Sequence, residues 1–133
     1  MNRIYLALII GIILGAFNWA IVPFVSDGIE PSYEGKGFYI EQLFLSIFPI
    51  IFGYKHGMKN VLMYVLGIYI SLYFYPFIFY FSKITEYAIY GLFTTLYLCF
   101  YPFIFGIVGK VAKLGYIKYN KSIMRDRPES GAP

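Results

Sequence analysis

The sequence predicts an all-α integral membrane protein: a bundle of four transmembrane helices with proline-kinked ends, both termini on the cytoplasmic side, and a basic C-terminal tail. Three observations predict it. Of the 133 residues, 59% are hydrophobic and only 14% are charged, with 15 tyrosines and 14 phenylalanines, which is more apolar surface than one small water-soluble core can bury. Four stretches approach the roughly 20 apolar residues that a helix needs to cross about 30 Å of hydrocarbon. The basic residues gather on alternate connections, as retention of Lys and Arg on the cytoplasmic face requires.

The first stretch runs from Ile4 to Phe24 behind Arg3. Its run outlasts the apolar core of a signal peptide, and the nearest small-residue pattern would set Trp19 beside the cleavage point, so it reads as a retained span. Ala7, Gly11, Gly15 and Asn18 recur at helical spacing and include a GxxxG, GIILG. Small residues in such a line let two backbones approach closely in lipid.

The second stretch, Phe38 to Tyr54, holds one ionisable group besides tyrosine, Glu41, one turn from its start. That position predicts a solvated carboxylate at headgroup level, beside Tyr39 and Gln42. Gln42, Ser46, Pro49 and Gly53 form its small and polar line. The third stretch, Val61 to Phe81, follows a tight turn, KHGMKN, and its line is Asn60, Tyr64, Gly67, Ser71 and Tyr75. The fourth, Tyr87 to Gly109, follows SKITE and carries Gly91, Thr95, Cys99, Pro102, Gly106 and Gly109. Short connections make helices two, three and four sequential antiparallel neighbours. The four stretches form one domain, residues 1–109, followed by the tail, residues 110–133.

With both termini inside, the inner segments hold Arg3, Lys55, Lys59, Lys110, Lys113, Lys118, Lys121, Arg125 and Arg127, against Asp126 and Glu129. The outer side keeps Lys36 and Lys83 with Asp27, Glu30, Glu34, Glu41 and Glu86. This bias predicts an integral protein of a cytoplasmic-type membrane, bacterial or archaeal in view of its size. The outer segment from Ser26 to Gly37 is acidic and rich in Gly and Pro, but it lacks the DxDxDG order of a calcium loop.

Prolines 23, 49, 76 and 102 fall 26, 27 and 26 residues apart, one per stretch, and FYPFIF occurs twice, from Phe74 and from Phe100. Each proline removes the hydrogen bond to the carbonyl four residues earlier. Trp19, Leu45, Leu72 and Leu98 therefore carry oxygens that need another donor in a medium without water. The spacing fits duplication of a helical hairpin and equally the length of helix plus turn.

Beyond Gly109, Lys110, Lys113, Lys118, Lys121 and Arg125 crowd one side of a helix whose other side holds Ala112, Tyr116, Tyr119 and Ile123. A basic amphipathic segment of this kind suits an anionic lipid surface or an acidic partner. No base-reading motif accompanies it, so nucleic acid is excluded as a partner. From Arg125 the sequence RDRPESGAP reads as a disordered end.

Catalysis finds no support. His56 sits between two lysines in a turn, Cys99 has no partner cysteine, and HExxH, CxxC, GxSxG and P-loop spacings are absent. The predicted chain is not an enzyme and takes no cofactor or metal. Spans without deep Asp, Glu, His, Lys or Arg argue against ion-coupled transport. The expectation is an accessory, regulatory or immunity-type subunit that packs against another integral membrane protein. The alternative is a homo-oligomeric transporter or channel for a small neutral or hydrophobic solute. In either case the helix-packing or cavity-lining residues are Gly11, Gly15, Asn18, Gln42, Ser46, Gly67, Ser71, Thr95, Cys99 and Gly106.

Overall fold

The computed structural model describes residues 3–25, 35–79 and 84–125, with side chains at 3–21, 39–79 and 88–124. The acidic outer segment, the Ser82–Lys83 turn and the chain beyond Arg125 lie outside the described residues, as do the side chains of Pro23 and Arg125. The described backbone forms four helices: α1 (Arg3–Val25), α2 (Gly35–Lys55), α3 (Met58–Phe79) and α4 (Ile84–Arg125). Three of them, α1, α3 and α4, contain windows long and apolar enough to cross a membrane.

Only His56 and Gly57 separate α2 from α3. Gly57 adopts φ 86°, and the His56 and Gly57 amides both donate to the Phe52 carbonyl at 2.8 Å, closing the end of α2. A residue with a Cβ resists that left-handed conformation, which is why glycine stands there. Asn60 Nδ2 donates to the His56 carbonyl at 2.9 Å and fixes the start of α3 on the same turn.

Alternate helices make the most extensive contacts, α1 with α3 and α2 with α4, while α3 touches α4 and lighter contacts join α1 to α2 and α2 to α3. The spacing of the small residues explains this order. A Cβ built on Gly11 would strike the Tyr64 carbonyl, and one on Gly67 would strike the Leu8 carbonyl. Each glycine thus receives the backbone of the other helix, which any larger residue would hold away. The same reciprocal fit recurs between α2 and α4, where Gly53 meets the Gly106 carbonyl and Gly109 meets the Ile50 carbonyl.

The register fixes direction as well. Gly11 lies at Tyr64 and Ile68, Gly15 at Ile68 and Ser71, and Trp19 at Leu72 and Tyr75, so α1 and α3 run parallel. Tyr73 on Ala88, Cys99 on Val65 and Gly106 on Val61 make α4 antiparallel to α3. Sequence neighbours are therefore not the principal partners, because the close-approach glycines of each helix match those of the next helix but one.

Pro49 and Pro76 sit in the last two turns of α2 and α3, whereas Pro102 lies well inside α4, which runs on without a break to Arg125. The basic tail is thus the continuation of the fourth helix and not a separate segment. Its 42 residues amount to about 63 Å at 1.5 Å per residue, roughly twice the hydrocarbon thickness. From Lys110 onward no described side chain is buried, and Gly115 has open space around it.

The core joins Ala7, Trp19, Leu45, Phe52, Val61, Tyr64, Ile68, Leu72, Leu98 and Cys99. Large apolar side chains such as Ile13, Leu43, Leu62, Phe93 and Phe100 face outward on every helix. An exterior of that kind is the surface of a protein dissolved in hydrocarbon.

Candidate functional site

Two of the carbonyls that prolines leave without a helical donor receive a side-chain donor from another helix. Tyr64 Oη donates to the Leu45 carbonyl at 2.8 Å, four residues before Pro49. Trp19 Nε1 donates to the Leu72 carbonyl at 3.1 Å, four residues before Pro76. The Trp19 ring also stacks on Tyr75, with centroids 5.5 Å apart, and Tyr64 lies against Phe48 and Phe52. Each bond replaces one the helix cannot make and ties two helices together at that level. The sequence marks the needy carbonyls. It does not mark the donors, which come from helices adjacent only in the fold.

All ten of the helix-packing or cavity-lining residues are buried, but they serve different neighbours. Gly11, Gly15, Gly67 and Ser71 make the α1–α3 seam, with Ser71 Cβ against Gly15. Gly106 receives the Val61 side chain from α3 and its carbonyl faces Gly53. Cys99 Sγ lies 3.9 Å from the Val65 carbonyl as a weak donor. Thr95 is buried on α4. Of the basic residues, Lys110, Lys118 and Lys121 are exposed and Lys113 is half-buried.

Glu41 is not the solvated carboxylate that its sequence position predicts. It is 1% exposed, and Asn18 of α1, which is fully buried, lies beside its carboxyl. The antiparallel register of α1 on α2, which also sets Phe17 against Phe44 at 5.7 Å, covers Glu41 with the neighbouring helix. It lies about two turns from the start of α2, since residues 35–37 extend the helix ahead of the apolar run. Gln42 and Ser46, at 6% and 3% exposure, follow on the adjoining stripe of α2.

Both polar atoms of Asn18, both carboxyl oxygens of Glu41, both polar atoms of Gln42 and Ser46 Oγ are buried without a hydrogen-bond partner. Burying one neutral polar atom unsatisfied costs about 1–3 kcal/mol, and a lone carboxylate costs more. Asn18 and Glu41 lie together in that condition between α1 and α2, whereas Gln42 and Ser46 share the stripe of α2 that carries Gly53 against α4. Among the described residues no three His, Cys, Asp or Glu side chains come together. No family model, curated protein or solved structure matches this chain.

Proposed function

We propose that all four helices span a cytoplasmic-type membrane, with both termini inside, and that the chain acts without catalysis by packing against another integral membrane protein. The parallel course of α1 and α3 supports the span count. Two parallel spans require the chain to return across the bilayer between them, and α2 is the segment that joins them. Its single carboxyl is sheltered by α1 and does not meet lipid.

The observation that carries the partner reading is the far end of α4. The close-approach glycines of all four helices are taken up within the chain. Past the bundle, Val111, Leu114, Ile117, Tyr119, Ile123 and Met124 remain exposed along a helix that also carries Lys110, Lys113, Lys118 and Lys121. Apolar side chains interleaved with cations suit a partner with an apolar groove and an acidic rim at the anionic cytoplasmic leaflet.

A photo-crosslinking residue at Ile117 or Ile123, activated in membranes of the organism that makes the protein, tests this reading. One discrete heteromeric adduct at both positions, absent with the residue at Ile13, is the expected result. Adducts with lipid alone contradict it. The unpartnered polar side chains buried within the bundle, Asn18, Glu41, Gln42 and Ser46, favour a second reading, a homo-oligomeric transporter or channel for a small neutral or hydrophobic solute. That reading predicts a defined homo-oligomer from the purified chain and solute movement in liposomes.

A further inference from the structure

We propose that α4 carries a dimer seam for a second copy of this chain: one face of the helix, from Tyr97 through Tyr101, Val108, Ala112 and Gly115 to Tyr119, pairs in parallel with the same face of the other copy. It rests on the reading of α4 as a span. The lysine-bearing half of the helix stays open to a further protein, so the dimer is compatible with either functional reading.

Tyr97, Val108 and Tyr119 stand 11 residues apart, as do Tyr101 and Ala112. A repeat of about 3.67 residues per turn keeps such a line on one side of a nearly straight helix, and α4 is unbroken over this length. The line runs for about 33 Å at 1.5 Å per residue. Five of its six residues are exposed and Tyr101 is half-buried. Another side of α4 meets the bundle, through Cys99 and Gly106 on α3 and Gly109 on α2.

Charge decides which occupant this face can take. Copies of one membrane protein share one orientation in the bilayer, so a dimer axis lies along the membrane normal and each seam residue meets its own counterpart. Any lysine on the seam would then face a lysine, and residues 110–124 include no Asp or Glu to offset it. At 3.6 residues per turn, Lys110, Lys113 and Lys121 fall on the opposite half of the helix and Lys118 on its flank. The seam itself carries no charge.

Gly115 fits the same occupant. Gly11, Gly15, Gly53, Gly67, Gly106 and Gly109 each receive an atom of another helix where a Cβ would stand, whereas no described atom lies within 4 Å of that place at Gly115. Glycine weakens a helix interior, and the other six glycines permit a close helix contact in exchange. A second copy supplies that contact at Gly115, with Ala112 as its small neighbour one turn away. Higher on the seam, the Tyr97 and Tyr101 hydroxyls bond each other at 2.9 Å midway along the apolar part of α4. Polar groups at such depth suit contact with a helix better than contact with lipid tails. Beyond Gly109 the helix outruns the hydrocarbon, so lipid tails that reach Tyr97 do not reach Tyr119. A second α4 covers both.

Cysteines added to the full chain and oxidised with copper phenanthroline in membranes of the producing cells test the seam. Ala112→Cys and Tyr119→Cys are expected to give a disulfide-linked dimer. Lys121→Cys, at similar depth on the opposite half, and the wild type with its buried Cys99 are expected to give none. Gly115→Leu has room within the monomer and is expected to keep helical circular dichroism. It is expected to lose both the Tyr119→Cys crosslink and the co-purification of two differently tagged copies, while Gly115→Ala, still small, retains them. Tagged copies that do not co-purify, equal crosslinking at Lys121→Cys and Tyr119→Cys, or a dimer that survives Gly115→Leu overturns the seam. Should Tyr90→Cys and Lys121→Cys react with a membrane-impermeant maleimide from the same side, α4 does not cross and the dimer falls with the span reading.

Discussion

Gly67→Leu is expected to separate α1 from α3 and to destabilise the bundle more than any single change on its outer surface. Even the first carbon of a new side chain would collide with the Leu8 carbonyl and the backbone around Gly11 and Ile12. Backbone cannot swing aside as a flexible side chain does, so the helices must part. The loss includes the seam from Ala7 to Trp19, and overpacking of tight contacts costs about 1–3 kcal/mol even where some relaxation is allowed. An effect on the order of 3 kcal/mol is expected, read as a lower melting midpoint in detergent.

Gly109→Leu acts on the other parallel pair through the Ile50 carbonyl and is expected to lose a similar amount. Tyr64 and Val61 of α3 join the two seams, so the double variant measures how far they couple. Gly115→Ala supplies the contrast, since its helix has open space there. It is expected to raise helix stability by up to about 1 kcal/mol through propensity alone.

The second large effect lies at the proline carbonyls. Tyr64→Phe removes the donor to the Leu45 carbonyl and leaves that oxygen buried and unpaired, with an expected loss of about 1–3 kcal/mol. Pro49→Ala changes the outcome, because an alanine amide at position 49 can itself donate to Leu45 within the helix. The cost of Tyr64→Phe should therefore fall by at least half in a Pro49→Ala background. A double-mutant cycle on melting midpoints measures this coupling, and strict additivity would mean that Tyr64 stabilises only through its ring contacts with Phe48 and Phe52. Trp19→Phe with Pro76→Ala repeats the experiment at the Leu72 carbonyl.

How much of this was readable in the sequence differs from residue to residue. The small lines were legible because helical spacing puts Gly11, Gly15 and Asn18 on one face whatever that face meets. Their partners were not, since the apolar faces of all four helices are built from the same Ile, Leu and Phe, and hydropathy carries no pairing code. Parallel pairing of alternate helices depends on matching glycine depth, which appears only when Gly11 is set beside Gly67 and Gly53 beside Gly109.

Glu41 was misplaced for a related reason. Its distance from the start of an apolar run suggests a solvated position, but Asn18 on another helix covers it and three residues of α2 precede the run. The needy carbonyls of Leu45 and Leu72 were legible from proline chemistry alone. Tyr64 and Trp19 as their donors were not. The tail was legible as basic and helical, while its continuity with α4 through Pro102 and Gly109 contradicts the usual reading of those residues as breakers. In lipid, neighbouring helices supply what a proline or glycine removes.

Four crossings bring the His56–Gly57 turn and the end of α4 to the same side as Arg3 in the proposed topology. Activity reporters that distinguish cytoplasmic from external sites, fused after Gly57 and after Pro133 in separate chains, measure this. Both reporters are predicted to be cytoplasmic, with one placed in the segment between α1 and α2 external. A cytoplasmic reporter after Gly57 together with an external one after Pro133 would contradict the four-span bundle.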